Sequence, residues 1–374
     1  MHSRLRAEHY CSSEIFELER KRVFGSLWIF AGFKTLLEAP NSFLTHHIGG
    51  VPVVVQNSGG QLAAFVNRCA HRRAPVQLED YGQRRLACQY HGWVYDGDGK
   101  VRSIPGCDAN YGFSESTVGT LGLKPVALRC VGNMVFVNLA ENPPAIETQF
   151  HTEFLKRLEE VSAFLDDEIL FAKFTGAYNW KLNFENVNDW NHVPFVHSQS
   201  FAPLMQSLRE SRGAIASDAP PPVADAHLSE DIRDLSYETR AEFDLKHWPW
   251  HDSIERFTQD NAYHNFFIYP NVNFITLGGT TFLAQQFCPA AADKTEVRLT
   301  MTSGRKKKKI PAMPAILWGY MKAEKAVIDE DIIILESLQK NLQNDEQSAF
   351  HGSYETRLRT IAKTYLRLLD EVDA

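Results

Sequence analysis

The sequence is short of everything that marks a stapled, membrane-spanning or nucleic-acid-binding protein. Six cysteines in 374 residues, at positions 11, 69, 88, 107, 130 and 288, are too scattered for a disulfide framework at this length. No uninterrupted apolar run reaches the roughly 20 residues of a membrane-crossing helix. Met1-His2-Ser3-Arg4-Leu5-Arg6 is not followed by an apolar stretch of the secretion-signal kind, so a cytoplasmic protein is expected. Cationic excess is missing too: 39 Lys and Arg against 46 Asp and Glu leave a formal charge of -7. That argues against nucleic acid as a partner, because phosphate binding needs a concentrated basic face. There is no Gly-rich dinucleotide loop after a strand, no four-cysteine ferredoxin signature, no internal repeat and no low-complexity segment.

What is present is a pair of mixed metal-ligand hooks, Cys69-Ala70-His71 and Cys88-Gln89-Tyr90-His91, separated by sixteen residues. Each supplies one sulfur and one imidazole. A zinc finger usually draws two cysteines from one hook and two histidines from the other. A Rieske two-iron, two-sulfur centre takes two cysteines on one iron and two histidines on the other, so each hook must provide one of each. The spacing favours the cluster, with a structural zinc site as the alternative. More than 250 residues follow, enough for a second core.

The second constellation is Asn179-Trp180-Lys181-Leu182-Asn183-Phe184-Glu185-Asn186-Val187-Asn188-Asp189-Trp190-Asn191-His192-Val193-Pro194-Phe195-Val196-His197. Five residues on a regular helix give about 500° of rotation, so His192 and His197 would not share a helical face. Pro194 disfavours helix at Val193 and removes a donor, and a distorted turn there can bring the imidazoles together. A facial triad for iron also needs a carboxylate. A carboxylate cluster interrupts the apolar stretch 327–339 at Asp329, Glu330 and Asp331; such acids are also favoured at a helix N-terminus by the macrodipole alone.

With Cys-x-His-Arg at 69–72 and Cys-x-Tyr-His-Gly-Trp at 88–93, the chain resembles the Rieske non-haem iron aromatic-ring-hydroxylating oxygenases, large (alpha) subunit. Neither loop carries the extra cysteine expected of a respiratory Rieske carrier. The resemblance implies a Rieske [2Fe-2S] cluster on Cys69, His71, Cys88 and His91, and a mononuclear non-haem Fe(II) on His192, His197 and Asp331, with Asp329 as the fallback. Glu330, Asp331, Glu336 and Gln339 match a looser family pattern. Asp189 would link His192 to His91 of a neighbouring subunit, where a local turn hydrogen bond is the plainer reading, and Asn186 would help shape the iron pocket. Implied partners are dioxygen, a small aromatic substrate, and a separate reductase, with or without a ferredoxin, bringing electrons from NAD(P)H. The assembly implied is a homotrimer, α3, or α3β3 with a small beta subunit. Ring dioxygenation or monooxygenation is the first reading and O- or N-demethylation the second; an electron-transfer subunit or a zinc-stapled binding protein are the readings from other classes. The basic run Arg305 to Lys309 is a solvated loop or a docking face for an acidic ferredoxin.

The expected fold class is α+β, a small antiparallel β Rieske domain plus a catalytic domain of antiparallel sheet covered by helices. The division expected is 1–40 as an N-terminal helical segment packing on the catalytic domain, 41–142 as the Rieske domain and 143–374 as the catalytic domain. Ser12 or Ser13 caps a helix to about Phe24, and short β runs punctuated by glycines fill 43–138. Beyond Pro143-Pro144 come a helix at 147–158, strands at 170–178, 266–269, 272–277, 281–288 and 296–302, and helices at 313–342 and 355–369. Residues 210–235 read as a loop over the pocket mouth. Apolar pocket walls are expected from Asn183, Val187, Val196, Phe201, Leu204, His264, Phe266, Phe274, Phe282 and Leu283.

Overall fold

Ser12 accepts a hydrogen bond from the Ile15 N–H and opens helix α2 (Ser13–Arg22) immediately after the one-turn helix α1 (Glu8–Cys11). Glu14 in the first turn of α2 and Arg20, Lys21 and Arg22 in its last match the sign of the helix dipole at both ends. The computed structural model describes residues 3–198, 200, 227–242, 246–344, 349–353 and 355–370. Two units divide the chain, Met1–Val23 with Glu147–Ala374, and Phe24–Ile146.

The unit Phe24–Ile146 holds strands β1 (Ile29–Phe33), β2 (Ser42–Ile48), β3 (Val51–Ser58), β4 (Gln61–Val66), β5 (Tyr81–Gln83), β6 (Val94–Tyr95), β7 (Val101–Ser103), β8 (Pro125–Val131) and β9 (Met134–Asn138), with the short helix α3 (Glu115–Gly119) before β8. Seven form one antiparallel sheet in the order β1-β9-β8-β4-β3-β2-β5, and β6 pairs with β7. Two hairpins, β2–β3 and β3–β4, turn on Gly49-Gly50 and Gly59-Gly60, all at positive φ, the requirement of two-residue turns that follow the strand twist. Residues 24–40 differ from the expected division: Ile29 to Phe33 pair with β9 and so belong with the β unit rather than with the N-terminal helices. The partner strand lies about a hundred residues on, beyond the reach of any local pattern.

In the other unit, α4 (Thr152–Ser162) starts later than the pattern predicts, and β10 (Leu165–Gly176) follows it. Then come α5 (Trp180–Asn188), α6 (Val193–Val196), β11 (Tyr237–Glu242), β12 (Ala262–Ile268), β13 (Val272–Leu277), β14 (Thr281–Ala291), β15 (Lys294–Gly304), α7 (Met313–Leu342) and α8 (Thr356–Leu368). The strands form one antiparallel sheet in the order β10-β15-β14-β13-β12-β11, with helices packed on it, the expected α+β arrangement. The loop expected at 210–235 falls largely on residues outside those described, as do Phe201 and Leu204. The basic run is partly neutralised: Lys306 pairs with Asp166 and Glu168, and Arg305 with Glu255. No helix among the described residues is long and apolar enough to cross a membrane.

The helical side of this unit buries two acids. Glu19 of α2 is 1% exposed and accepts from the Trp180 indole at 2.9 Å, from Lys181 and from the Tyr365 hydroxyl. Glu185 of α5 accepts from the Tyr10 hydroxyl at 2.7 Å, and burial pushes its carboxyl up to about 7 although Tyr10 and Lys181 favour the charged form. An acid whose folded pKa is raised holds a proton that the unfolded chain has already released, so stability falls as pH climbs from about 4.5 to about 7 and is flat beyond. Melting curves across that window should decline less in Glu185→Gln, by roughly 1–3 kcal/mol at the upper end. Parallel declines in both proteins would remove Glu185 as the cause.

Candidate metal centres and active site

The two hooks fold alike. In each, the cysteine carbonyl accepts from the N–H four residues on (Arg73 and Gly92, 3.0 and 2.9 Å), and the cysteine N–H donates to the carbonyl five residues on (Ala74 and Trp93, both 2.8 Å). The residue at position four has positive φ in both loops, 63° at Arg73 and 73° at Gly92, so each loop curls its cysteine inward. Cys69 and Cys88 are buried in one core with Phe43, Val76 and Leu86. The Tyr95 hydroxyl accepts from the Ala70 N–H at 3.0 Å, leaving its proton for Cys69 Sγ at 3.0 Å. Burial pushes the Cys69 thiol up, with Tyr95 and His71 opposing.

On the outer side the rings of His71 and His91 are 4.7 Å apart, and His71 stacks on Trp93 at 5.0 Å and 5°. Burial, then His91 and Arg72, hold the His71 imidazole below its usual range, which keeps it neutral. Its Nδ1 is buried with no hydrogen-bond partner. Two inner sulfurs and two outer imidazoles, one with an orphaned nitrogen, fit a two-iron cluster ligated by sulfur on one iron and nitrogen on the other.

The second donor set starts at α5. Asn179 caps it by accepting from the Lys181 N–H, and α7 holds the same point: Glu336 Oε1 accepts from the Ala177 N–H and Gln339 Oε1 from the Asn179 N–H, at 3.0 and 2.9 Å. After α5 ends at Asn188, the chain re-enters helix for the single turn α6 with His192 as its N-cap and His197 at its C-cap. Pro194 lies in the first turn of that helix, where its missing N–H costs nothing. The sequence pattern gave Pro194 a disrupting role; it instead starts a turn whose two ends carry the histidines.

Their Nε2 atoms stand 3.3 Å apart, and Asp331 Oδ1 of α7 lies 3.1 Å from His197 Nε2 and 3.7 Å from His192 Nε2. One donor atom from each of the three lies within 4.8 Å of the others. Asp329, the fallback, is exposed and paired with Lys325. Glu330 Oε2 accepts from His197 Nδ1 at 2.9 Å and from the Ser200 hydroxyl. That bond fixes the ring so that Nε2 faces the other donors. In the sequence Glu330 is only a pattern match; its role comes from this contact. Glu330→Gln should weaken iron binding by about 10- to 100-fold, read as iron retained against a chelator; wild-type retention would rule out the orienting role. Asp189 uses Oδ1 for the local bond from the Asn191 N–H, while Oδ2 stands 3.8 Å from His192 Nδ1. Burial works against its charge, but His192 and the Asn191 N–H hold the carboxyl below the usual range.

A cavity of ≈ 100 Å³ opens beside these donors. Asn183, Asn186 and Val187 of α5 and Glu324, Val327 and Ile328 of α7 line it, with Tyr263, Asn265, Asn273, Gln285 and Phe287 from the sheet. Of the expected walls, Asn183 and Val187 are there; Val196, His264, Phe266, Phe274, Phe282 and Leu283 are not. Side chains alternate between faces of a strand, and the lining positions of β12, β13 and β14 are the odd ones. Phe266, Phe274 and Phe282 stack along the opposite face, and His264 there meets Glu238 at 2.7 Å. The sheet wall is thus largely amides. Glu324, which sequence reading missed, accepts from Gln285 Nε2 at 2.8 Å; burial, then Asp331, push its carboxyl up to about 7. Its signal was the seven-residue step back from Asp331, two turns along one helical face.

Two family models match this chain, Rieske [2Fe-2S] domain over residues 28–125 and ring hydroxylating alpha subunit (catalytic domain) over residues 156–371. The glycine betaine monooxygenase oxygenase subunit of Pseudomonas aeruginosa is 32% identical over 53% of this chain and 45% of its own length. The 2-halobenzoate 1,2-dioxygenase large subunit of Burkholderia cepacia is 30% identical over 56% and 46%. The chain spans about half the length of these relatives. Among solved structures, a quaternary ammonium Rieske monooxygenase in complex with L-carnitine superimposes with a TM-score of 0.67 at 19% identity, over 98% of this chain and 96% of that one, a likeness of fold.

Proposed function

Since the chain belongs to the family of ring-hydroxylating alpha subunits, with a Rieske [2Fe-2S] domain ahead of its catalytic domain, we propose that it is the oxygenase component of a multicomponent system that oxidises a small methylammonium compound. Electrons come from NAD(P)H through a separate reductase, with or without a ferredoxin. Cys69, His71, Cys88 and His91 hold the cluster; His192, His197 and Asp331 hold the mononuclear iron. Asp189 connects His192 to His91 of an adjacent subunit in an α3 ring, or in α3β3 with small beta subunits. Iron in the second site would supply reductive activation of dioxygen. Around it, Glu330 fixes His197, and Val187, Val327 and Ile328 keep water from the side where the substrate carbon lies.

One observation carries the substrate class: a carboxyl, Glu324, lines the cavity beside the donors together with the amides Asn265, Asn273 and Gln285. A buried carboxyl among amides, with Trp190 and Tyr263 on the same cavity, suits a compact cation, whose charge the carboxylate neutralises and whose methyl groups the rings contact. Relatives named for glycine betaine and carnitine support the same class. Dioxygen, two electrons and two protons convert the N-methyl carbon to an N-hydroxymethyl group and water; this breaks down to formaldehyde and the demethylated amine. Ring hydroxylation is the second reading, favoured by Trp190, Tyr263 and Phe287 on the same cavity.

Turnover under isotopically labelled dioxygen separates the two. Demethylation predicts formaldehyde formed one for one with the demethylated amine and with the dioxygen consumed; a cis-diol with two labelled oxygens and no formaldehyde would replace this reading with ring dioxygenation.

A further inference from the structure

A second cavity, of ≈ 150 Å³, lies in the same unit, lined by Lys246, Trp248, His251, Arg256, Asn261 and Tyr320 among others. Among the described residues two cations line it and no carboxylate does. Three nearby acids among the described residues are engaged elsewhere: Asp260 with Arg240, Asp252 with His247 and Glu255 with Arg305. Arg256 is held from behind, its Nε and Nη2 donating to the Gly278 carbonyl and Nη2 also to that of Asp260, so Nη1 makes no hydrogen bond among the described residues. Lys246 lies over the Trp248 ring at 4.0 Å and has no ion pair among the described residues. His251 is 7% exposed; its Nδ1 accepts from the Trp248 N–H, which leaves the proton on Nε2, and that Nε2 is buried without a partner. Burial, then His247 and Arg256, hold this imidazole down at about 4, so it is a neutral N–H donor. A buried donor with no acceptor, beside two cations, is a site short of an anion.

Its position says which anion. Tyr320 lines this cavity and Glu324 the oxygenase pocket, four residues apart on α7, which is about 6 Å along the axis. Leu277 and Tyr263, cross-strand partners on β13 and β12, likewise line one cavity each. The separation is within reach of a short aliphatic chain. We propose that the second cavity binds a carboxylate, and that this carboxylate is the far end of a zwitterionic substrate whose methylammonium end lies against Glu324. The assignment rests on the cationic-substrate reading of the oxygenase pocket.

Calorimetric titration of the full chain with γ-butyrobetaine, its methyl ester and acetate tests it, in wild type, Lys246→Gln and Asn261→Asp. Both positions are exposed, and matched melting temperatures check the fold. Both variants should weaken γ-butyrobetaine by at least about tenfold and the ester by less than about twofold, and acetate should compete with γ-butyrobetaine but not with the ester. Equal losses for zwitterion and ester, or none for either, would overturn the proposal. Lys246-dependent acetate binding that does not compete with γ-butyrobetaine would overturn the substrate-tail assignment and leave a site for a free anion. If neither methylammonium probe binds while acetate still binds through Lys246, it is the cationic-substrate reading of the oxygenase pocket that fails.

Discussion

Asp331→Ala is expected to lose the mononuclear iron and product formation together, by at least about a hundredfold, while the visible bands of the Rieske cluster stay at wild-type strength. Asp331 is the carboxylate that closes on both imidazoles, at 3.1 Å from His197 Nε2 and 3.7 Å from His192 Nε2. Two imidazoles alone leave a hard divalent iron without the anionic donor that the facial triad supplies. On the proposed assignment the lost carboxylate binds the iron itself, so the effect should exceed the 10- to 100-fold typical of an orienting partner. Iron analysis, a dithionite-bleachable spectrum and product assay on one preparation read all three quantities. Asp329→Ala is the control: that carboxylate is exposed and tied to Lys325. Full iron content and turnover in Asp331→Ala would end the assignment; loss of the cluster bands as well would mean a folding defect instead.

The largest stability effect should come from Glu19→Ala, roughly 3–5 kcal/mol, seen as a fall in Tm on the order of 10 °C. Removing this carboxylate strands Lys181, itself nearly buried, among the rings of Tyr10, Trp180 and Tyr365 at 5.0–5.3 Å. An uncompensated buried charge costs far more than a missing contact, whereas replacing both partners with apolar groups of similar size is often close to neutral. The pair Glu19→Leu, Lys181→Met should therefore recover most of the loss. A single variant that melts with wild type would show that water reaches Lys181.

Local chemistry was the legible part of this sequence. The hooks at 69–71 and 88–91 and the histidines at 192 and 197 stand out because their candidate donors lie within a few residues of each other, and the 313–342 helix because its apolar pattern is long. Glu19 was hidden because its partner is 162 residues away. The pocket wall was misread by one residue, since period-two alternation in β12 to β14 defines two faces without saying which one meets the donors, and both are buried. The role of residues 24–40 depended on a strand pairing across a hundred residues. Asp331 could be singled out from Asp329 only by knowing which side of α7 turns inward.

Helix α7 holds the start of α5 through Glu336 and Gln339, carries Asp331 one to two turns earlier, and earlier still presents Glu324, Val327 and Ile328 to the cavity. Reach and selectivity are therefore set on one rod in consecutive segments. The C-terminal segment gauges the spacing between the carboxylate and the histidine-bearing chain, and the N-terminal segment is an exchangeable tool face. A lineage could recut that face for a new substrate by changes at 324, 327 and 328 while the rise of the helix, rather than the length of a loop, holds the backbone of Asp331 in place.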